Sequence, residues 1–275
     1  MTRQLPPAFH FSQSSLQDFV DCARRFQLRY LMEQDYPAPA AEPLMATEDA
    51  AELGKRFHLR MERYWRGAPL PPLDWASPLG RWWAAFEANP PPNIPSTHRR
   101  PEITLSARLG DQRFTATFDL LAYDADGTVV ILDWKTSKRT PLKLLNRRLQ
   151  TILYPLLFVE ASAGLIGRHV APEQVQLVYW FAEDGGATET FSYNAERMDE
   201  DRRYLDAVIT RLLTLDVTVF PLTENERLCR LCQYRSLCGR GVKAGGIDEI
   251  AETYPDVDEL RGVLAVDADS QDFVL

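Results

Sequence analysis

Asp133, Trp134 and Lys135 directly follow a run of four apolar residues, Val129 to Leu132. On an extended strand side chains alternate, so Asp133 and Lys135 point one way and Trp134 the other. An acid and an amine then share one pocket. Asp119 lies 133 − 119 = 14 residues earlier, near the middle of the preceding strand, and a hairpin with a four-residue turn brings it beside Asp133. Two carboxylates facing one space offer hard oxygen ligands suited to Mg²⁺ or Mn²⁺, ions that also bind a substrate phosphate. A lone D-x-K is equally an ordinary ion pair at a strand end, so its neighbours decide the reading. Gln150 and Tyr154 are spaced i, i+4 on the following helix and share a face. The segment Gly54-Lys-Arg-Phe-His58 adds an imidazole, which is either a further metal ligand or a packed helix histidine. Glu102 opens the first strand and reads as an acid supporting the site or as a solvated strand end.

The elements that must position these residues follow from periodicity. The spacing of Leu16, Phe19, Phe26 and Tyr30 predicts a helix over 11–32, capped by Ser12 or Ser14. Proline-rich stretches around 37–43, 69–72 and 90–95 separate two further helices, over about 47–66 and 77–88. An antiparallel meander comes next, over 102–109, 113–123 and 128–135, turning at Gly110-Asp111 and at Asp124 to Gly127. The continuous apolar run in its last strand belongs near a sheet centre. Pro141 opens a helix to about Ala163; strands over 175–181 and 188–193 and a helix over 195–215, capped by Asn194, complete the order. A sheet with helices on its faces is an α/β class.

Four cysteines, Cys22, Cys229, Cys232 and Cys238, remain. No signal-peptide-like start and no obvious bilayer-spanning stretch are evident, so a cytoplasmic location is expected, where thiols stay reduced and favour metal over disulfides. Four thiolates complete either a 4Fe-4S cluster or a tetrahedral zinc site. The net charge of −8 is unfavourable for phosphate binding. Its distribution is not: residues 241–275 carry nine acids against Lys243 and Arg261, a balance of −7, which leaves −1 for the first 240. Between Trp134 and Val159 stand Lys135, Lys138, Arg139, Lys143, Arg147 and Arg148 with no acid, either a solvated helix face or a phosphate-facing surface. Residues 1–240 are thus expected as one domain and 241–275 as an acidic tail. No phosphate-loop motif is present, so ATP-driven work would need a partner.

Taken in order, Gly54/His58, Asp119, Asp133/Lys135 and Gln150/Tyr154 resemble the motif series of the RecB-like branch of the PD-(D/E)XK nucleases. Ser12-Gln-Ser14-Ser-Leu16-x-x-Phe19-x-x-Cys22 is similar to that family's opening helix, although Ala23 stands where a proline usually follows the cysteine. The resemblance covers about residues 9 to 240. It implies a restriction-endonuclease-like core, a mixed sheet flanked by helices, that hydrolyses DNA with one or two Mg²⁺ or Mn²⁺ ions. His58, Asp119, Asp133 and the Trp134 carbonyl would hold metal, Lys135 would act in the transition state, and Gln150 and Tyr154 would orient Lys135 or the DNA. Lys138, Arg139, Lys143, Arg147 and Arg148 would contact the backbone. One distant cysteine plus a C-terminal triplet resembles the family's iron-sulfur members, which favours 4Fe-4S over zinc. The resemblance implies partners among helicases or CRISPR adaptation proteins, and no membrane. A catalytically silent DNA-binding scaffold, or a redox or zinc module, are the competing readings; the first conflicts with the intact Asp119, Asp133 and Lys135, and the second leaves them unexplained.

Overall fold

Strand-forming runs from the N-terminal segment to Ser192 assemble into one six-stranded mixed sheet. The computed structural model describes residues 5–6, 8–34, 42–215, 218–230 and 232–241, with backbone alone for 42–50. The acidic tail expected over 241–275 lies, Gly241 apart, outside the described residues, as does the proline-rich stretch over 37–41. Strand β1 (His10–Ser12) leads into α1 (Gln13–Asp21), which Ser12 caps: its hydroxyl accepts from the Ser15 amide at 3.1 Å, and the Ser15 hydroxyl accepts from the Ser12 amide at 2.9 Å. The single helix expected over 11–32 is interrupted. Cys22 is extended (φ −160, ψ 106), and α2 (Ala23–Phe26) restarts beyond it and runs into a π-helical turn, Gln27–Leu31.

Helices α3 (Glu42–Trp65) and α4 (Pro78–Ala88) follow, then strands β2 (His98–Leu109), β3 (Gln112–Tyr123) and β4 (Val129–Lys135). Strand β2 pairs antiparallel along one edge of β3 except at Glu102 and Asp119, from Leu109↔Gln112 outward around Gly110, whose φ of +60 suits glycine. The other edge of β3 is shared. Strand β1 takes Arg113 to Thr115 in parallel, and β4 takes Leu120 to Tyr123 antiparallel. The short helix α5 (Leu142–Leu145) and the long helix α6 (Leu149–Ile166) then cross over to β5 (Val175–Phe181), parallel to β4, and β6 (Ala187–Ser192) closes the sheet antiparallel to β5. Every residue of β4 is buried, as its central place demands.

Each sheet face carries its own core. Ile131, Leu177 and Tyr179 pack with residues of α1, α6 and α7 (Ala195–Leu213), whereas Leu132, Trp134 and Trp180 pack with Phe57 of α3 and Trp82 and Phe86 of α4. The alternation slips within β3. Phe114, Ala116 and Phe118 belong to the first core, as do Leu121 and Tyr123, while Leu120 belongs to the second. A two-residue period cannot place both sets on one face, so the strand changes face at Asp119.

Two expectations need correction here. The helix foreseen from Pro141 to Ala163 is broken at Asn146 to Arg148, and the helix bearing Gln150 and Tyr154 carries none of the basic run. Leu149 to Phe158 are instead all buried between sheet and flank, so α6 has no face to spare for phosphate. Its 18 residues are also long and apolar enough to cross a membrane, with mean hydropathy 1.5, contrary to the reading of the sequence. With 67% of them buried in the protein, α6 is a core helix.

Asn194 caps α7 by accepting from the Arg197 amide at 2.7 Å. Arg197 then pairs with the buried Asp201 at 2.8 Å and reaches the Asn146 carbonyl at 3.2 Å, fixing the junction between α5 and α6. Burial raises the Asp201 carboxyl to about 6, against the pull of Arg197. Below the ordinary carboxylate range both folded and unfolded chains hold this proton. As pH rises to about 6 only the folded chain keeps it, so stability falls across that window and is level above it. Asp201→Asn should flatten this part of the stability profile, by at most about 3 kcal/mol between pH 4 and 6, in urea melts taken at each pH. An identical slope in the variant would place the titration elsewhere.

Candidate metal and catalytic site

The antiparallel ladder between β3 and β4 ends at Leu120↔Leu132, and the next pair in register would be Asp119 and Asp133. A side chain replaces the missing backbone bond: Asp119 Oδ2 accepts from the Trp134 amide at 2.7 Å. Beyond this point the strands part, and side chains from both sheet faces reach the gap. From α3, His58 Nδ1 lies 3.2 Å from Asp119 Oδ1. Burial works to raise the Asp119 carboxyl, but His58, the Trp134 amide and Lys135 together hold it below the usual range.

Glu102 completes this group, a role the sequence reading left open. Single ligand atoms from His58, Glu102 and Asp119 all lie within 4.8 Å of one another. Hairpin arithmetic carries the signal: 102 + 119 equals 109 + 112, so a Gly110-Asp111 turn sets Glu102 opposite Asp119. The ladder skips that pair, and Glu102 adopts a φ of +49. A non-glycine residue held there is strained, as is common where a site dictates the backbone. Burial and the neighbouring Asp119 push the Glu102 carboxyl up to about 7. Two crowded carboxylates and an imidazole at these separations suit one small divalent cation, with metal–oxygen distances of about 2.0–2.1 Å for Mg²⁺.

From α6, on the other face, Gln150 binds both members of the D-x-K pair. Lys135 Nζ lies 2.8 Å from Asp133 Oδ2 and donates to Gln150 Oε1 at 2.9 Å, while Gln150 Nε2 donates to Asp133 Oδ1. Lys135 also sits 5.4 Å from the centre of the Tyr179 ring, and Thr151 and the Tyr179 hydroxyl are 2.8 Å apart. Tyr154 packs on Phe118 at 4.9 Å, and burial, with Asp133 and Asp119 nearby, raises its phenol. Trp134 points away into the second core, stacked on Trp65 and edge-on to Trp180. The structure therefore gathers His58, Asp119, Asp133, Lys135, Gln150 and Tyr154 at the point where the sheet splits.

The basic run disperses. Lys138, Lys143 and Arg147 are exposed, but Arg139 pairs with Glu189 and Arg148 is buried with Nη2 3.4 Å from the Thr140 hydroxyl. Arg148 is thus not among the exposed cations of the run, because the break before α6 turns it inward. The cysteines converge at the C-terminal end of α1, where Cys22 stands. The segment after α7, Thr218 to Pro221, packs on α2 and the π-helical turn through Phe220 amide to Gln27 Oε1 at 2.9 Å, Gln27 Nε2 to the Thr218 carbonyl at 3.0 Å, and Arg24 amide to the Pro221 carbonyl at 3.1 Å. Burial raises the Cys232 thiol to about 11; Arg25 opposes this and nearby Cys22 and Cys238 add to it. Cys229 is likewise raised by burial and by Cys22 and Cys238.

Gln150 is a neutral group hydrogen-bonded to both Asp133 and Lys135, and all three are buried. Gln150→Leu should lower stability by roughly 1–3 kcal/mol, since it removes two charge-assisted hydrogen bonds from the interior. A urea midpoint unchanged from wild type would show that the pair is satisfied without it.

Comparison with known proteins gives the family. Residues 10–239 match the family model described as the PD-(D/E)XK nuclease superfamily. No curated protein matches the chain. Among solved structures, a candidate exonuclease from Eubacterium rectale superposes with a TM-score of 0.51 at 11% identity, covering 89% of this chain and 93% of that one. The structure of SSO0001 aligns at a TM-score of 0.43 and 15% identity, over 83% of this chain and 85% of that one. At such identities the likeness to the Eubacterium rectale protein speaks for the fold, while the family model spans most of the sequence. The chain belongs to the PD-(D/E)XK nuclease superfamily.

Proposed function

We propose that the protein is a metal-dependent deoxyribonuclease, an exonuclease serving DNA repair, recombination or CRISPR adaptation beside a helicase or adaptation partner. The observation that carries this reading is the parting of β3 from β4 at Asp119 and Asp133, which opens a carboxylate-lined gap next to a buried lysine. His58, Glu102, Asp119 and Asp133 would hold one or two Mg²⁺ or Mn²⁺ ions. A strand residue's N–H and C=O project to the same edge, so the Trp134 carbonyl faces the gap its amide faces and is a further ligand. Divalent metal, when bound, supplies Lewis acidity toward a phosphate oxygen and toward the attacking water. Lys135 orients the water and stabilises negative charge on the phosphorane-like transition state, and Gln150 holds the Lys135 amine against Asp133. Tyr154 closes the site floor. Lys138, Lys143 and Arg147 are the members of the basic run available to backbone phosphates.

The cysteines fit a second group. Cys232 is buried and Cys22, Cys229 and Cys238 are half-buried near Arg24 and Arg25, and a cationic centre would take such gathered thiols as thiolates. Cys22, Cys229, Cys232 and Cys238 would ligate a 4Fe-4S cluster that ties the first helices to the C-terminal loop, in a reducing cytoplasm.

Asp133→Ala and Lys135→Ala should each lower hydrolysis of end-labelled DNA in Mg²⁺ or Mn²⁺ by at least about 10²-fold with circular dichroism unchanged. Wild-type rates in both variants would remove the site from catalysis. Anaerobically purified protein should be brown, with about four irons per chain, and Cys22→Ser should lose the iron and melt earlier. One zinc and no iron would keep the clamp and replace the cluster.

A further inference from the structure

The ribbon of β2 and β3 continues past the site, and its exposed face has a composition unlike the rest of this acidic chain. Thr104 and Thr117 are opposed in register with their hydroxyls 2.9 Å apart, and Ser106 and Thr115 repeat the arrangement at 2.9 Å. Arg108 and Arg113 form the next rung, directly paired and both exposed. Strand β1 widens the face where His10, also exposed, lies 3.4 Å from the Thr115 hydroxyl. Ile103, Leu105 and Ala107 and their partners Phe114, Ala116 and Phe118 turn the other way into or against the core, so the polar residues form one continuous surface. Glu102 and Asp119 stand at its head.

We infer that this face is a track for the sugar–phosphate backbone of a single DNA strand, running from the metal site to the hairpin tip; the inference rests on the nuclease reading above. Solvated polar faces are ordinary on antiparallel sheets, but three features separate this one. From Thr104/Thr117 to Arg108/Arg113 it carries hydroxyls, an imidazole and two guanidinium groups and no carboxylate, in a chain with net charge −8; along the ribbon Glu102 and Asp119 of the metal site bound it at one end and Asp111 in the turn at the other. Neither arginine is ion-paired with a carboxylate among the described residues, Arg108 only approaching the Asp111 carbonyl at 3.4 Å. The rungs recur every second residue, about 6.8 Å apart, comparable to the phosphate repeat of an extended nucleic-acid strand. Hydroxyls and arginines are the usual partners of phosphate and carry no base preference. Three strands at roughly 4.8 Å spacing make a platform too narrow to hold both backbones of a duplex. Six residues separate Asp119 from Arg113, a run of about 20 Å, so the arginines would act some three nucleotides from the scissile bond.

The test compares wild type with Arg108→Ala/Arg113→Ala and with Thr104→Val/Thr117→Val, the latter preserving strand propensity, and melts of both variants check the fold. Binding of a fluorescent oligothymidylate of about twelve nucleotides is titrated against salt in EDTA, where no hydrolysis occurs. The arginine pair should lower the log–log salt slope by about 1.4, two phosphates at 0.7 each for single strands. In Mn²⁺ the same variant should raise KM on that oligonucleotide roughly tenfold, with kcat retained and with thymidine dinucleotide hydrolysis unchanged, because a dinucleotide never reaches the tip. The valine pair should weaken the long oligonucleotide in the same sense. An unchanged slope, an equal loss on the dinucleotide, or an equal slope change on blunt duplex would each overturn the track. Failure of the wild type to cleave any DNA would instead overturn the nuclease reading, while the EDTA arm still judges the surface.

Discussion

One carboxylate stands where a backbone hydrogen bond would otherwise run. Asp119 accepts the Trp134 amide at 2.7 Å and so satisfies a buried donor that the β3–β4 ladder no longer serves. This single substitution of side chain for main chain lets the strands part without an orphaned amide. Without it, Asp119 and Asp133 would be one more cross-strand pair, pressed together with no room for a cation. The same carboxylate meets His58 at 3.2 Å, so the strand opening and the approach of α3 are one event.

Because the sheet splits, residues from both of its faces converge. The imidazole of α3 arrives from the side of the tryptophan-rich core, while Gln150 and Tyr154 arrive from α6 on the other. A flat sheet would keep these two sets apart by its own thickness. The slip in β3 alternation at Asp119 and the positive φ of Glu102 directly opposite are the backbone's share of the cost. Both cores brace it: Phe57 stacks on Trp180 at 5.8 Å behind His58, and Phe118 meets Tyr154 at 4.9 Å behind Asp119. The site is thereby held by packed aromatic rings, not by loops, which suits groups that must keep their positions when charge is introduced.

The N-terminal helices and the C-terminal loop form a second, separate unit of cohesion. Asp18 bridges Arg25 and Arg29 in the interior, and Gln27 ties to Thr218 and Phe220, 191 and 193 residues away. Contacts between such distant segments carry a large closure entropy, which an inorganic clamp at the four cysteines would offset. The exposed ribbon, by contrast, needs no such support, because β2 and β3 are adjacent in sequence and joined by a two-residue turn.

Much of this was legible from residue types alone. Period-two spacing placed Asp133 and Lys135 together and sent Trp134 away, and hairpin length set Asp119 beside Asp133, because strand geometry is local and regular. The apolar run of β4 likewise announced a central strand. What sequence could not decide were the places where tertiary packing overrules local pattern. The basic residues between Lys138 and Arg148 read as one helical face, but the break at Asn146 to Arg148, pinned by Arg197 of α7, scatters them and buries Arg148. Glu102 read equally well as a solvated strand end. Only the closing of α3 over the split sheet, which brings His58 to Asp119, makes it part of a ligand set, since burial and neighbouring charge are properties of the folded assembly and of no single stretch of chain.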